Sequence, residues 1–240
     1  MRYAIVSDIH GNFDALQAVL AAAKKIGYDL LICLGDVVGY GAEPNECVQL
    51  LRDSNSRILA GNHDHAAIGC LNLDFFNEYA RQAALWTREQ LTPESVEWLK
   101  KAPFVEHYPS FAATHSTLHS PELFNYILTL LDARLTFELL DKPICFIGHS
   151  HMAVTFFSTE PITYSMGNIF DVNEAYKMIV NVGSVGQPRD EVPMACFAVY
   201  DTNSLTIQLY RAEYDIRAAA QKILRAGLPD ILAFRLFQGR

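Results

Sequence analysis

The 240-residue chain has no C-x-x-C pair, and its five cysteines, at positions 33, 47, 70, 145 and 196, form an odd and widely scattered set. That excludes a disulfide framework and a zinc–thiolate cluster, and it fits reduced thiols packed as small apolar side chains. No uninterrupted apolar stretch approaches the ~18 residues of a membrane span. A strand-like run at residues 2–7 stands where a basic and apolar leader would be. The expectation is a soluble, cytoplasmic protein with no membrane partner. Positive charge is also scarce, with 19 Lys and Arg against 27 Asp and Glu, a formal net charge of −8. A protein tracking duplex nucleic acid must neutralise many phosphates, so that class is excluded. A small anionic substrate is not, because a bound metal can reverse the local potential. Hydrophobic residues make up 50% of the chain, enough for a sizeable core. No internal repeat, low-complexity segment or linker interrupts it, so one domain over residues 1–240 is expected.

Residues 2–7 are rich in β-formers and run into polar residues and Gly11, as a strand feeding a loop does. Leu16, Val19, Leu20 and Ala23 recur at helical spacing, with Asn12 as cap and Gly27 as stop. The pattern repeats as strand 30–34, loop 35–43, helix 44–53 and strand 56–60, which implies a buried parallel sheet. Residues 73–91 read as helix, and Thr92-Pro93-Glu94 opens another through Lys101. A helical insertion is therefore expected at about residues 66–102. Strands are expected at 104–107, 111–114, 144–147, 177–182, 194–200 and 205–211. A helix at 130–140 precedes the third of these, and Asp215 caps a last helix that stops at Gly227.

Four polar clusters follow directly from expected strands: Asp8-Ile9-His10, Gly35-Asp36, Gly61-Asn62-His63-Asp64 and Gly148-His149-Ser150-His151. His115 follows a fifth. Ligands of open α/β sheets bind beyond the carboxyl ends of parallel strands, so these residues are expected to converge on one edge. Carboxylate, imidazole and amide donors without thiolate suit Mn, Fe or Zn. Asp8, His10, Asp36, Asn62, His115, His149 and His151 offer seven side chains, more than a single ion uses once water is included. With Asp36 bridging, two ions ~3.5–4 Å apart can clamp the attacking and leaving oxygens of a displacement at phosphorus. Two protonated imidazoles at His149 and His151 would repel, and neutral metal ligation resolves that conflict.

In this order, the clusters resemble the calcineurin-like metallophosphoesterase superfamily, whose pattern runs D-x-H, G-D, G-N-H-D/E, H, G-H-x-H. The resemblance implies an α/β fold of two packed mixed β-sheets flanked by helices. It also implies two divalent ions, Mn or Fe with Zn possible. One would be held by Asp8, His10, Asp36 and His151, the other by Asp36, Asn62, His115 and His149. A hydroxide bridging the ions would attack phosphorus, Asn62 would help to stabilise the added charge, and His63 would protonate the leaving oxygen, oriented by Asp64. An unperturbed imidazole pKa of ~6.5 suits a general acid near neutrality.

The run Asn181-Val-Gly-Ser-Val-Gly-Gln-Pro-Arg-Asp190 is similar to a loop of small bacterial and archaeal phosphodiesterases in this superfamily, a branch that includes diadenosine tetraphosphate hydrolase-like enzymes. Arg189 then stands either as a substrate-phosphate ligand, with the Gly183 and Gly186 N–H groups approaching the same phosphate, or as a surface partner of Asp190 or Glu191. Protein serine/threonine phosphatases carry G-D-x-x-D-R-G and G-N-H-E; here the sequence is Gly35-Asp-Val-Val-Gly-Tyr-Gly41 and Gly61-Asn-His-Asp64, without that arginine. The expected substrate is a small phosphodiester or nucleotide polyphosphate. Phosphomonoesters, phosphoproteins and a scaffold without catalysis are the alternatives. A scaffold would be expected to drop a ligand or the acid, and none is missing. Phe75, Phe76, Tyr79 and Trp86 read as the packing face of the helical insertion, and His65, His107 and His119 as surface or capping residues.

Overall fold

Alternate residues of the first strand, β1 (Arg2–Val6), face two different cores. The computed structural model describes residues 1–240, and in it Tyr3 and Ile5 point into one apolar cluster while Ala4 and Val6 point into another. This period-two partition is what a strand covered on both faces requires. β1 pairs in parallel with β2 (Leu30–Cys33), and β2 with β3 (Arg57–Ile58). On its other side β1 runs antiparallel to β11 (Ala195–Asp201), which pairs with β12 (Thr206–Ala212) and through it with β9 (Ile169–Asp171).

The second sheet has the order β4 (Val105–His107), β5 (Phe111–Thr114), β6 (Ile144–Ile147), β10 (Met178–Val182), β7 (Ala153–Phe157) and β8 (Thr163–Ser165). Its centre, β5, β6 and β10, is parallel. The sheets stack face to face over a core that includes Tyr3, Ile5, Ile32, Phe111, Phe146, Val180, Ala198 and Tyr200. Helices α1 (Phe13–Ile26) and α2 (Pro44–Asp53) cover the outer face of the first sheet through Leu16, Val19, Val48 and Leu51. Helix α6 (Leu130–Leu139) covers the second through Ala133 and Phe137. The expected sandwich of two mixed sheets flanked by helices is the architecture found.

The remaining helices fall in two stretches of the chain. α3 (Asn62–Ala67), α4 (Glu78–Gln90) and α5 (Pro93–Leu99) lie between β3 and β4, and α7 (Ile216–Arg225) and α8 (Asp230–Phe234) follow β12. α4 packs on α7 and α8 through Ala80, Ala83, Ile223 and Leu232. The single helix expected over 73–91 is divided: Leu73–Phe75 forms a 3-10 turn, and α4 starts only after Asn77, whose side chain accepts from the Ala80 N–H at 3.0 Å. Asn72 caps the preceding turn in the same way, so two local caps compete with one continuous helix. No helix is long and apolar enough to cross a membrane.

Candidate metal centre

The strand ends do bring the scattered clusters together. Asp8 and His10 follow β1, Asp36 follows β2, Asn62 follows β3, His115 follows β5, and His149 and His151 follow β6. Asp8, His10, Asp36, His149 and His151 all have positive φ, between 51° and 68°. Such conformations cost on the order of 1 kcal/mol each for non-glycine residues, and they turn the side chains back over the sheet edge.

Each carboxylate is fastened by one oxygen and free at the other. Asp8 Oδ2 accepts from the His149 N–H at 2.9 Å, and Asp36 Oδ1 accepts from the His63 N–H at 2.8 Å. Asp8 Oδ1 and Asp36 Oδ2 are buried with no hydrogen-bond partner. The Asp36 contact satisfies an otherwise unpaired N–H in the first turn of α3, so the G-N-H-D motif begins a helix directly after the strand end.

The imidazoles are fixed the same way. Nδ1 of His10, His115 and His151 faces the carbonyls of Val38, Leu34 and Gln187 at 3.2, 3.2 and 2.6 Å. A carbonyl can only accept, so Nδ1 donates and Nε2 of the neutral ring presents a lone pair inward. His151 Nε2 lies 3.3 Å from Asp8 Oδ1, and His115 Nε2 lies 3.4 Å from Asp36 Oδ2 and 3.2 Å from both Asn62 Oδ1 and His149 Nδ1. Ligand atoms of Asp8, His10 and His151 lie within 4.8 Å of one another, as do those of Asp36, His115 and His149 and those of His10, Asp36 and His63. Orphaned carboxylate oxygens facing imine nitrogens fit a divalent cation, and the seven expected ligands lie together at this edge.

Burial governs the protonation of these groups. It pushes His149 down to about 3 and His63 to about 4, and holds His10 well below its ordinary value, so these rings are neutral, the ligating form. Burial opposes charge at His115 as well, but Asp36 and Asp8 raise it to about 9. Burial would likewise raise the two carboxylates, yet His151 keeps Asp8 below the usual range, and His115 does the same for Asp36. At Asp64 burial and Asp36 outweigh the backbone N–H groups of Val38 and Val37 and the attraction of His115, and push it up to about 7.

Several expectations change here. Asp64 makes no hydrogen bond to His63; its Oδ1 accepts from the Val38 N–H at 3.0 Å, while His63 Nδ1 has no partner. Asp64 thus fastens the backbone whose Val38 carbonyl holds His10. The Gly183 and Gly186 N–H groups are used inside the protein, by Asn181 Oδ1 and the Asp8 carbonyl. Gly186 is required for close packing, since a Cβ there would stand 1.8 Å from the Ile9 carbonyl oxygen. Asp190 pairs with Arg211 and Glu191 with Arg240, which leaves Arg189 free of both. Its guanidinium carbon lies 5.9 Å from the centre of the Tyr40 ring.

The aromatic residues depart from the packing reading only in part, since Phe76 does pack against the cluster of Ala80, Ala83 and Ile223. Phe75 is 93% exposed, and Phe76 meets the His63 ring edge-on at 5.0 Å. Both line a cleft of about 250 Å³ that also takes in Tyr40, Asn62, His63 and Tyr126. Trp86 does pack inward, while Tyr79 is about half exposed. His65 lies half-buried between Phe104 and Phe124, and Cys70, unlike the other four cysteines, is exposed. Tyr40 and Tyr126 were not anticipated. Tyr40 follows Asp36 within the same loop, a position the motif could have flagged. Tyr126 stacks on His149 at 3.8 Å from an irregular segment with no periodicity to reveal it.

A two-sheet sandwich with this set of carboxylates and imidazoles at its strand ends defines a class. The chain belongs to the calcineurin-like phosphoesterase superfamily, whose domain matches residues 1–205, and so to a group of metal-dependent hydrolases. A crystal structure of a metallophosphoesterase from Sphaerobacter thermophilus is 36% identical and superposes with a TM-score of 0.90, covering 100% of this chain and 99% of that one. Uncharacterized protein MJ0912 of Methanocaldococcus jannaschii is 37% identical over 242 residues, 99% of this chain and 98% of that protein. A symmetrical bis(5'-nucleosyl)-tetraphosphatase of Actinobacillus pleuropneumoniae is 32% identical over 139 residues, 54% of this chain and 49% of that enzyme. The match thus spans about half the length of that relative.

Proposed function

We propose that the protein hydrolyses a nucleotide polyphosphate or a related phosphodiester with the help of two divalent ions, Mn or Fe by preference. One ion would be held by Asp8, His10, Asp36 and His151, the other by Asp36, Asn62, His115 and His149. When bound, the ions supply Lewis-acid charge at the phosphoryl oxygens and activate the attacking water. The rest is the work of side chains. Asn62 holds the phosphoryl group under attack and Arg189 a neighbouring substrate phosphate, while His63, whose pKa an incoming anionic phosphate raises from about 4, gives a proton to the departing oxygen. Asp64 keeps the His10 loop in register. Two divalent ions against Asp8 and Asp36 give the pocket a positive charge within an acidic protein, which suits an anionic substrate.

The observation that carries the reading is the convergence of the free oxygens of Asp8 and Asp36 with the inward nitrogens of His10, His115 and His151, beside a cleft walled by Phe75, Phe76 and Tyr126. The aromatic wall supports a nucleotide, since a base presents a flat apolar face to stack. A tetraphosphatase relative supports a polyphosphate.

Metal-stripped protein reloaded with Mn²⁺, Fe²⁺ or Zn²⁺ and offered dinucleoside polyphosphates, bis-p-nitrophenyl phosphate, p-nitrophenyl phosphate, cyclic nucleotides and a phosphoserine peptide tests the proposal. Faster turnover of a diester or polyphosphate is expected. Preference for the phosphopeptide would move the protein to the phosphomonoesterases, and inactivity on every substrate with both ions bound would make it a scaffold.

A further inference from the structure

Two arginines stand beside the centre with no acid to neutralise them. Arg189 donates from Nη2 to Gln187 Oε1 at 2.9 Å, and Arg235 donates from Nη1 to the same oxygen at 3.2 Å. One neutral amide oxygen therefore holds two like charges together. The adjacent carboxylates are committed elsewhere, Asp190 to Arg211 and Glu191 to Arg240, and neither Arg189 nor Arg235 makes an ion pair. The Nε atoms of both arginines are buried without any partner. Packed guanidinium groups repel, and burial of donors without acceptors costs further free energy, so an oxyanion placed between them would stabilise the pair.

The pair is wired to the centre. Gln187 is buried, and its carbonyl receives the His151 Nδ1–H. The Arg189 N–H donates to the His151 carbonyl at 3.2 Å. The Arg189 guanidinium lies over Tyr40, whose ring centre is 4.4 Å from that of His63. The order in space is His63, Tyr40, Arg189, Gln187, Arg235. Arg235 opens the 3-10 turn Arg235–Phe237, anchored by buried Leu236, and lies outside the residues 1–205 that match the superfamily.

We propose that Arg189 and Arg235 together form a subsite for a phosphate adjoining the scissile one, on the leaving-group side. The inference rests on the reading of the centre as a phosphoesterase and narrows its substrate class to phosphoanhydrides, in which the departing group is itself a phosphate. Arg189 Nη1 and Arg235 Nη2 make no hydrogen bond within the protein, so the two guanidinium groups can offer these donors together to one phosphate, in a planar geometry that lysine cannot match. An alcohol leaving group gains nothing from the pair.

The test uses metal-loaded protein with Arg235→Gln and Arg235→Lys. For a dinucleoside tetraphosphate, kcat/KM should fall in Arg235→Gln by about tenfold or more beyond any fall for bis-p-nitrophenyl phosphate, which has no second phosphate. The Lys variant should lie between. Equal losses on both substrates would assign Arg235 a structural role, and no loss on either would remove it from the site; both outcomes overturn the subsite. A binding arm stands apart from turnover: calorimetry with AMP and α,β-methylene-ADP reads the affinity gained from one added phosphate. That gain should shrink at least fivefold in Arg235→Gln, and an unchanged gain overturns the proposal. If the wild type turns over nothing, the functional reading fails while this arm still decides the subsite. If Arg235→Gln does not fold, Arg235→Lys decides through the same two ratios.

Discussion

His10 Nε2 and His151 Nε2 face each other at 3.0 Å, each on a ring whose Nδ1 is turned to a backbone carbonyl. Burial keeps both rings neutral, so two lone pairs meet with Asp8 Oδ1 beside them. A cation among these atoms converts that repulsion into binding energy. Mn²⁺ at a hundredfold excess over its Kd should therefore stabilise the fold by about 2.7 kcal/mol per ion. For a chain of this size that raises Tm by about 5 to 10 °C per ion, read by thermal melts with and without chelator. The sign of the pH dependence follows from His115, which at about 9 carries a proton that a metal must displace. Affinity should rise with pH up to about 9, and loading near pH 7 should release about one proton from this residue. An unchanged Tm in saturating Mn²⁺ would remove the centre from consideration as a metal site.

Asp36 Oδ2 lies 3.6 Å from His10 Nε2 and 3.4 Å from His115 Nε2, between the two candidate groups. Asp36→Asn keeps the shape and the contact with the His63 N–H but halves the carboxylate charge of the centre. It should lose both ions or retain one weakly. Metal analysis after gel filtration decides, and two tightly bound ions per chain would refute the bridging role.

Gly61 shows how little space the centre leaves. A Cβ there would stand 2.1 Å from both the N and the Oδ1 of Asp36, contacts that only a shift of the β2 end could relieve. Gly61→Ala should therefore weaken metal binding more than tenfold and lower Tm by several degrees. Calorimetric metal titration checks it, and wild-type affinity would show that the Asp36 loop yields without moving the ligands.

How much of this was legible in the sequence follows from where the information lay. The ligands were readable because each ends a strand of β-forming residues, and parallel strands bring their carboxyl ends to one edge whatever the sequence distance. Capping residues such as Asn12 and Thr92 marked helix starts correctly because the signal is local. Strands β7, β8 and β9 were not expected at all, and two of them have three residues each, too short for period two to register. The cleft was hidden for a different reason. Whether Phe75 faces a core or a site depends on where its segment lands, and Asn77 moved the start of α4 past it. Arg235 was silent because only Gln187, 48 residues away, gives it meaning.

Phe75 is 93% exposed at the mouth of the cleft, so Phe75→Ala should change stability by less than about 0.5 kcal/mol. Stacking on a base contributes about 1 to 3 kcal/mol, so KM for a dinucleoside polyphosphate should rise about fivefold or more. A glycerophosphodiester without an aromatic group should be unaffected. Equal effects on the two substrates would mean that Phe75 shapes the cleft and does not stack on a base.

His63 is the residue on which ligation and proton transfer make opposite demands. Its ring lies close enough to His10 and Asp36 for its nitrogen to join a metal group, yet it also meets Tyr40, Phe76 and the cleft. If it serves as general acid, His63→Gln should keep the fold and both ions while the rate falls by ~10² to 10⁴. The deficit should depend on the leaving group. An alkoxide needs a proton as it departs, whereas p-nitrophenolate leaves without one, so the loss should shrink as the leaving-group pKa falls. A ligand behaves otherwise: His63→Gln would then lose metal, and every substrate would slow by the same factor. Metal content and the slope of log kcat against leaving-group pKa, measured on one preparation, separate the two roles. A slope unchanged from wild type, with both ions retained, would exclude proton donation by His63.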